Sequence, residues 1–249
     1  MSSKKLGTAL ITGAAKRIGA AMALSLAKKG YDIALHYNKS DIQARDLQRK
    51  IVDLGAKCTL IKADLFDEKD VQNLVLQLKN LKNCNILINN ASIFEKSAFL
   101  QEGEDLLAKY LQIHVHVPAI LSEEFAKNCQ ENNLKGNIIN MVDKNIRRYE
   151  TKYFYYILTK KSLAEMTKML ALQLAPDIRV NAIAPGFILN SVDEKDPSAE
   201  TARLLAKIPL QSKAGSQDIV NAMNFILENN FVTGEILFID GGASLNHAG

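Results

Sequence analysis

The sequence predicts a doubly wound α/β fold: a seven-stranded parallel sheet with helices on both faces, in a single domain spanning residues 1–249. Short apolar, β-prone runs alternate with longer helix-periodic stretches from end to end, as a parallel sheet with crossover helices requires. A glycine-bearing turn stands between the first such run and the first helix. No linker, repeat or low-complexity segment divides the chain.

Taken in order, the candidate strands are Thr8 to Thr12, Asp32 to His36, Lys57 to Lys62, Asn85 to Ile88, Asn137 to Val142, Ile178 to Ile183 and Ile236 to Asp240. After the second, Ser40 with Gln43 forms a capping-box pattern before a helix over Asp41 to Leu54, and Gly55 stands where a helix-ending glycine belongs. Residues 187–212 break the rhythm and hold Asp193-Glu194-Lys195-Asp196-Pro197. This segment reads either as a surface loop or as a mobile lid over a substrate, since long insertions in compact domains are often functional.

Composition excludes several classes. A hydrophobic fraction of 47% with 23% charged residues is that of an ordinary globular protein. Lys and Arg number 31 against 27 Asp and Glu, and the formal charge of +4 is spread without a run of five like charges. That balance predicts no nucleic-acid or membrane partner and mildly favours anionic ligands. Cys58, Cys84 and Cys129 stand far apart, with no C-x-x-C pair and no histidine at ligand spacing, so they read as reduced and structural and no metal is expected. The first seven residues are short and polar, no apolar run approaches a membrane span, and the default expectation is a cytoplasmic location.

Chemistry gathers at the ends of the candidate strands. Thr12-Gly13-Ala14-Ala15-Lys16-Arg17-Ile18-Gly19 places glycines where a backbone must approach a pyrophosphate at a helix N-terminus. Asn89-Asn90-Ala91-Ser92 ends the fourth strand at the same edge. Asp64, ahead of Leu65, either caps the next helix or accepts a hydrogen bond from an adenine amino group, and the two roles are compatible. An acidic residue at the end of the second strand would bind a free ribose 2′-hydroxyl. Instead the chain reads His36-Tyr37-Asn38-Lys39-Ser40, and Arg17 takes the middle-glycine position of the turn. Arginine, lysine and serine surround a 2′-phosphate with charge and donors, so NADPH is the expected cofactor.

The catalytic candidates lie further on. Asn140-Met141-Val142-Asp143 leads into a helix bearing Tyr156 and Lys160, four residues apart and so on one face. An ammonium there is expected to lower the phenol's pKa, making Tyr156 a general acid or base. The spacing is weak alone, but of the seven tyrosines only Tyr156 has it.

Together with Arg179-Val180-Asn181-Ala182-Ile183-Ala184-Pro185-Gly186, Gly234 and Asp240-Gly241-Gly242, these motifs resemble the short-chain dehydrogenase/reductase family across essentially the whole chain. Within it the resemblance is closest to pteridine reductases and the related bacterial dihydromonapterin or dihydrofolate reductases. It rests on the Thr12–Gly19 turn, on His36-Tyr37 before a basic residue and Ser40, on Asn90-Ala91-Ser92 followed by Phe94, and on Asn140-Met141-Val142-Asp143. The resemblance implies a Rossmann-type fold, a homo-oligomer of tetramer type, and catalysis by Asp143, Tyr156 and Lys160. It implies cofactor contacts from Gly13, Arg17, Ile18, Gly19, His36, Tyr37, Asn38, Lys39, Ser40, Asp64, Leu65, Asn90, Ala91, Ser92, Tyr156, Lys160, Pro185 and Gly186. Substrate contacts would come from Ser92, Phe94, Asp143 and Tyr156, with Phe94 and the nicotinamide sandwiching a flat pterin or folate ring.

Carbonyl-reducing members carry a serine where Asp143 stands, and its hydroxyl donates to the oxygen on which negative charge develops. An ionised carboxylate only accepts hydrogen bonds and would repel that charge, whereas a pterin offers N–H donors and a C=N bond whose nitrogen needs a proton. The expected activity is therefore NADPH-dependent reduction of a pterin or dihydrofolate C=N bond. The alternatives are a ketone-reducing carbonyl reductase and, from another class, a non-catalytic NADPH sensor. One departure is His114, where many members carry an asparagine that holds a water on the proton path. A histidine can hold that water, or can be a satisfied buried residue, and His114 is left outside the expected site.

Overall fold

The computed structural model describes residues 6–96, 99, 104–149, 151–187, 202 and 205–245. Its seven strands are β1 (Thr8–Ile11), β2 (Asp32–Tyr37), β3 (Cys58–Lys62), β4 (Cys84–Asn89), β5 (Gly136–Met141), β6 (Ile178–Pro185) and β7 (Ile236–Ile239). All pairings are parallel, in the order β3-β2-β1-β4-β5-β6-β7. Among the described residues the helices are α1 (Arg17–Lys28), α2 (Asp41–Asp53), α3 (Glu68–Asn80), α4 (Glu104–Leu111), α5 (Val117–Glu131), α6 (Phe154–Leu174) and α7 (Ser216–Glu228). A π-helical segment, Gln112–His116, joins α4 to α5.

Alternation along the strands divides the core into two layers. Ala9 and Ile11, Ile33 and Leu35, Ile86 and Ile88, and Ile139 and Met141 face a layer closed by Met22 and Leu26 of α1, Leu47 and Ile51 of α2, and Ile219 and Met223 of α7. Leu10, Ala34, Leu87 and Ile138 face the other way, onto Leu74 and Leu78 of α3, Leu121 and Phe125 of α5, and Ala171 of α6. The central strands β1 and β4 are thus apolar on both faces, which is why they read as continuous apolar runs rather than as alternating ones. The expected strands coincide with the observed ones to within one or two residues.

Helix boundaries fit less evenly. Gly55 does end α2, with φ +84°. The Ser40 side chain, however, makes no capping hydrogen bond, so the expected capping box is not formed. Asp64 does not cap α3 either. Asp67 does, accepting from the N–H groups of Lys69 and Asp70, because it sits at the helix boundary three residues beyond Asp64. Most of the expected lid, residues 188–201, 203 and 204, lies outside the described residues.

The reversal of strand order falls between β1 and β4, where the loops leaving the two strands turn to opposite sides and open a crevice at the carboxyl edge. One buried side chain fixes three of those loop ends. His36, 2% exposed, accepts from Gly13 N–H through Nδ1 at 3.0 Å and reaches the Ala63 carbonyl through Nε2 at 3.1 Å. A carbonyl only accepts, so Nε2 carries the proton and the ring is neutral.

Burial pushes the His36 pKa down to about 4. The unfolded chain binds this proton below about pH 6.5 and the folded chain only below about 4, so stability is full above 6.5 and is lost as pH falls through that window. Urea unfolding should show a decline of up to about 3 kcal/mol from this group between the two values. His36→Asn, which keeps an acceptor near Gly13 but cannot titrate, should flatten that limb; an unchanged limb would assign the acid sensitivity to other groups.

Candidate active site

The crevice holds a cavity of about 1060 Å³, larger than a single small-molecule site requires and able to take a dinucleotide and a second ring. Its cofactor half is built on the glycine turn. Gly13 has φ +63°, and a Cβ there would meet the Ala91 backbone at 3.0 Å. A Cβ on Gly19 would lie 2.7 Å from the Gly13 carbonyl oxygen, so only glycine lets α1 start this close to β1. Arg17 adopts φ +53°, a left-handed conformation that suits glycine and costs another residue on the order of 1 kcal/mol.

The first turn of α1 has no side-chain cap. Its N–H groups and its dipole therefore present an anion site toward the cavity, to which Lys16 and Arg17 add positive charge. Asn90 and Thr12 hold this turn to β4. The Asn90 amide donates to the carbonyls of Thr12 and Gly13 at 2.8 and 3.1 Å, while Thr12 Oγ1 accepts from Asn90 and Ala91 N–H at 2.9 and 3.0 Å. These residues fit the pyrophosphate and charged ribose of a dinucleotide such as NADPH.

Most expected cofactor residues line the cavity: Gly13, Arg17, Ile18, Gly19, His36, Asn38, Asp64, Leu65, Asn90, Ala91, Ser92, Tyr156, Lys160, Pro185 and Gly186. Tyr37, Lys39 and Ser40 do not. Tyr37 is buried in the core with its hydroxyl on Asp41, and Lys39 and Ser40 stand at the entry to α2. Asp64 N–H donates to Asp70, and its carboxylate accepts from Phe66 N–H.

At the far end, β5 and α6 bring Asp143, Tyr156 and Lys160 together. Asp143 follows β5 and caps a short turn, Lys144–Arg147, its Oδ1 accepting from Asn145 N–H at 2.7 Å. Its Oδ2 accepts from the Tyr156 hydroxyl at 2.9 Å. Asp143 is thus both the cap of this turn and the hydrogen-bond partner of Tyr156. Lys160 is 2% exposed and donates to the Met141 carbonyl at 2.7 Å.

The expected lowering of the phenol's pKa is not seen. Burial, and then the negative charge and hydrogen bond of Asp143, hold Tyr156 well above its ordinary value. Lys160 lies 5.9 Å from the ring centroid and has its own hydrogen bond elsewhere. Burial pushes Lys160 down to about 8, with Asp143 acting against the shift. Tyr156 therefore keeps its proton in this arrangement, which makes it a proton donor first.

Phe94 is 60% exposed and lies on the cavity wall. One face stacks on Tyr153, with centroids 4.6 Å apart and planes 16° from parallel, and Tyr156 meets it edge-on at 4.8 Å. The sequence reading passed over Tyr153 and Lys16. Tyr153 had a signal, since three residues before Tyr156 is the same helix face. Lys16 had only its place beside Arg17. Cys58, Cys84 and Cys129 are free, with thiols pushed up to about 12 by burial. Among the described residues no cluster could hold a metal ion, and no helix is long and apolar enough to cross a membrane.

Known proteins share this architecture. Residues 13–244 match the family model described as Enoyl-(Acyl carrier protein) reductase. A dihydromonapterin reductase from Enterobacter sp. (strain 638) is 30% identical over 239 residues, 95% of this chain and 96% of that protein. The structure of FolM alternative dihydrofolate reductase 1 from Brucella canis, complexed with NADP, superposes with a TM-score of 0.88 at 32% identity, over 98% of this chain and 96% of the other. Acetoin dehydrogenase from Enterobacter cloacae gives a TM-score of 0.90 at 25% identity, over 99% and 98% of the two chains. A family match across most of the chain, joined to a relative at this identity over nearly its full length, makes the protein an oxidoreductase that belongs to the short-chain dehydrogenase/reductase family.

Proposed function

We propose that the protein is an NADPH-dependent reductase of a pterin or dihydrofolate, saturating a C=N bond of the ring. The observation that carries this reading is the Asp143 carboxylate bonded to the Tyr156 hydroxyl at 2.9 Å on the wall of the cavity. A carboxylate there accepts N–H donors of a ring and disfavours an incipient alkoxide. The cofactor supplies the hydride. Tyr156 gives the ring nitrogen its proton, Asp143 orients the phenol and the ring donors, and the buried Lys160 ammonium offsets the negative charge around them.

Phe94, already backed by Tyr153, offers its free face to the substrate ring. The similarity to a dihydromonapterin reductase and to an NADP-bound dihydrofolate reductase supports the substrate class and the cofactor. The 1–249 chain works as one domain, in the cytoplasm, as a homo-oligomer of tetramer type. Met169 and Leu172 on the outer face of α6, 70% and 86% exposed, support burial against a second copy.

NADPH should bind more tightly than NADH. Arg17→Gly removes the cation and relaxes the left-handed backbone, so it should weaken NADPH binding by roughly 1.5 to 3 kcal/mol and leave NADH little changed. Equal affinities for the two cofactors in the unmodified protein would sink this assignment. Tyr156→Phe should cut turnover by about a hundredfold to ten-thousandfold while NADPH still binds; a variant retaining most of its activity would move the proton source to Asp143 or solvent. Asp143→Ser should damage dihydropterin or dihydrofolate reduction while any weak diketone reduction persists or rises. The readout is kcat/KM for both substrates in both proteins. A parallel fall, or a parent enzyme indifferent to every pterin and folate offered, would remove the proposed function.

A further inference from the structure

His114 is fully buried on the π-helical segment, yet both its ring nitrogens are engaged. Nδ1 lies 2.9 Å from Thr159 Oγ1 and Nε2 lies 2.8 Å from Ser92 Oγ. The direction of the first bond follows from a count of protons. Thr159 has one hydroxyl proton, and it points back at the carbonyls of Tyr155 and Tyr156, 3.0 and 3.1 Å away on the same helix. With that proton on the helix carbonyls, the threonine accepts from His114 and Nδ1 is assigned the ring's proton. Burial, and secondarily the Lys160 charge, push the His114 pKa far below its ordinary value, so the ring is neutral. A neutral ring protonated at Nδ1 has a bare Nε2, which accepts from Ser92.

Ser92 is the point where this chain meets the cavity. Its hydroxyl has one proton, and the protein offers it two acceptors, His114 Nε2 at 2.8 Å and its neighbour's Ile93 carbonyl at 3.2 Å. The oxygen's lone pairs are what remain for a ligand. Across the cavity, Asp143 likewise only accepts.

We propose that His114 is a positioning residue that fixes Ser92 as a hydrogen-bond acceptor, so that the cavity selects a ring presenting an N–H or amino donor to that serine. The proposal rests on the pterin-reductase reading for the identity of the ring, and not for the lock itself. It gives the histidine that stands at the asparagine position of the family a task different from holding a water. A ring bearing a carbonyl oxygen at that edge would set lone pairs against the Ser92 lone pairs and be disfavoured.

The lock is read first in the unmodified protein without substrate, from long-range nitrogen-15 correlations of labelled histidine. The expected spectrum shows a neutral His114 protonated at Nδ1. Protonation at Nε2 would reverse the bond, free the Ser92 proton for the cavity and overturn the proposal. Kinetics then test selection. His114→Asn keeps an amide near Nδ1 but leaves the Ser92 proton only the longer bond to the Ile93 carbonyl, whereas His114→Gln places an amide oxygen near Nε2. His114→Asn should raise KM for a dihydropterin about tenfold, the worth of one neutral hydrogen bond, with kcat changed less, and His114→Gln should recover most of the loss. In a Ser92→Ala background, His114→Asn should add nothing. An unmoved KM, a fall confined to kcat, or effects that multiply in the double variant would each overturn the proposal. A parent enzyme that reduces no pterin or folate defeats the proposed function, and the tautomer still upholds or overturns the lock.

Discussion

The site depends on how the ends of β1 and β4 are tied together. A doubly wound sheet must part its loops where the strand order reverses, and an open crevice there leaves main-chain groups without partners. Thr12 and Asn90 supply them. One threonine oxygen takes two N–H groups from the β4 loop, and one asparagine amide takes two carbonyls from the β1 loop. The tie lets the glycine turn stand open toward a ligand without collapsing, and it fixes the distance between the phosphate-binding end of the cavity and the Ser92–Phe94 segment. His36 extends the same fixation to β2 and β3 from beneath.

The proton machinery at the other end is shaped by low dielectric. Burial disfavours both the phenolate of Tyr156 and the ammonium of Lys160, and Asp143 acts on both in the same sense, keeping protons on them. The result is a phenol held protonated and aimed by a carboxylate, with a lysine whose proton is comparatively easy to remove. Aromatic rings wrap this cluster. Tyr110, His114 and Phe94 meet the Tyr156 ring edge-on, while its hydroxyl is directed at Asp143.

Strand positions were legible in the sequence because burial on both faces writes itself as uninterrupted apolar runs, as in Ile86-Leu87-Ile88. The Tyr156–Lys160 pair was legible because helix periodicity fixes their common face. What the phenol's pKa does was not, since desolvation and the charge of Asp143 come from packing β5 against α6. Capping failed for a related reason. Ser40 and Asp64 have the right chemistry, but cap geometry depends on where the backbone turns, and Asp67 is closer to that point than Asp64. The five-residue π-helical segment shifts the hydrogen-bond register by about one residue and has no composition of its own, and with it went the bonding partners of His114.

Arg17 carries a consequence for how this turn can change over generations. A side chain held in a glycine's conformation is maintained against the intrinsic preference of the backbone, so drift toward glycine meets no steric barrier and even relieves one. Drift in the other direction, from glycine to arginine, has to cross it. Where an arginine persists in such a turn, selection for what its charge does must be continuous. The heritable record of ligand choice is then a left-handed residue, visible from the backbone angle before any ligand is seen.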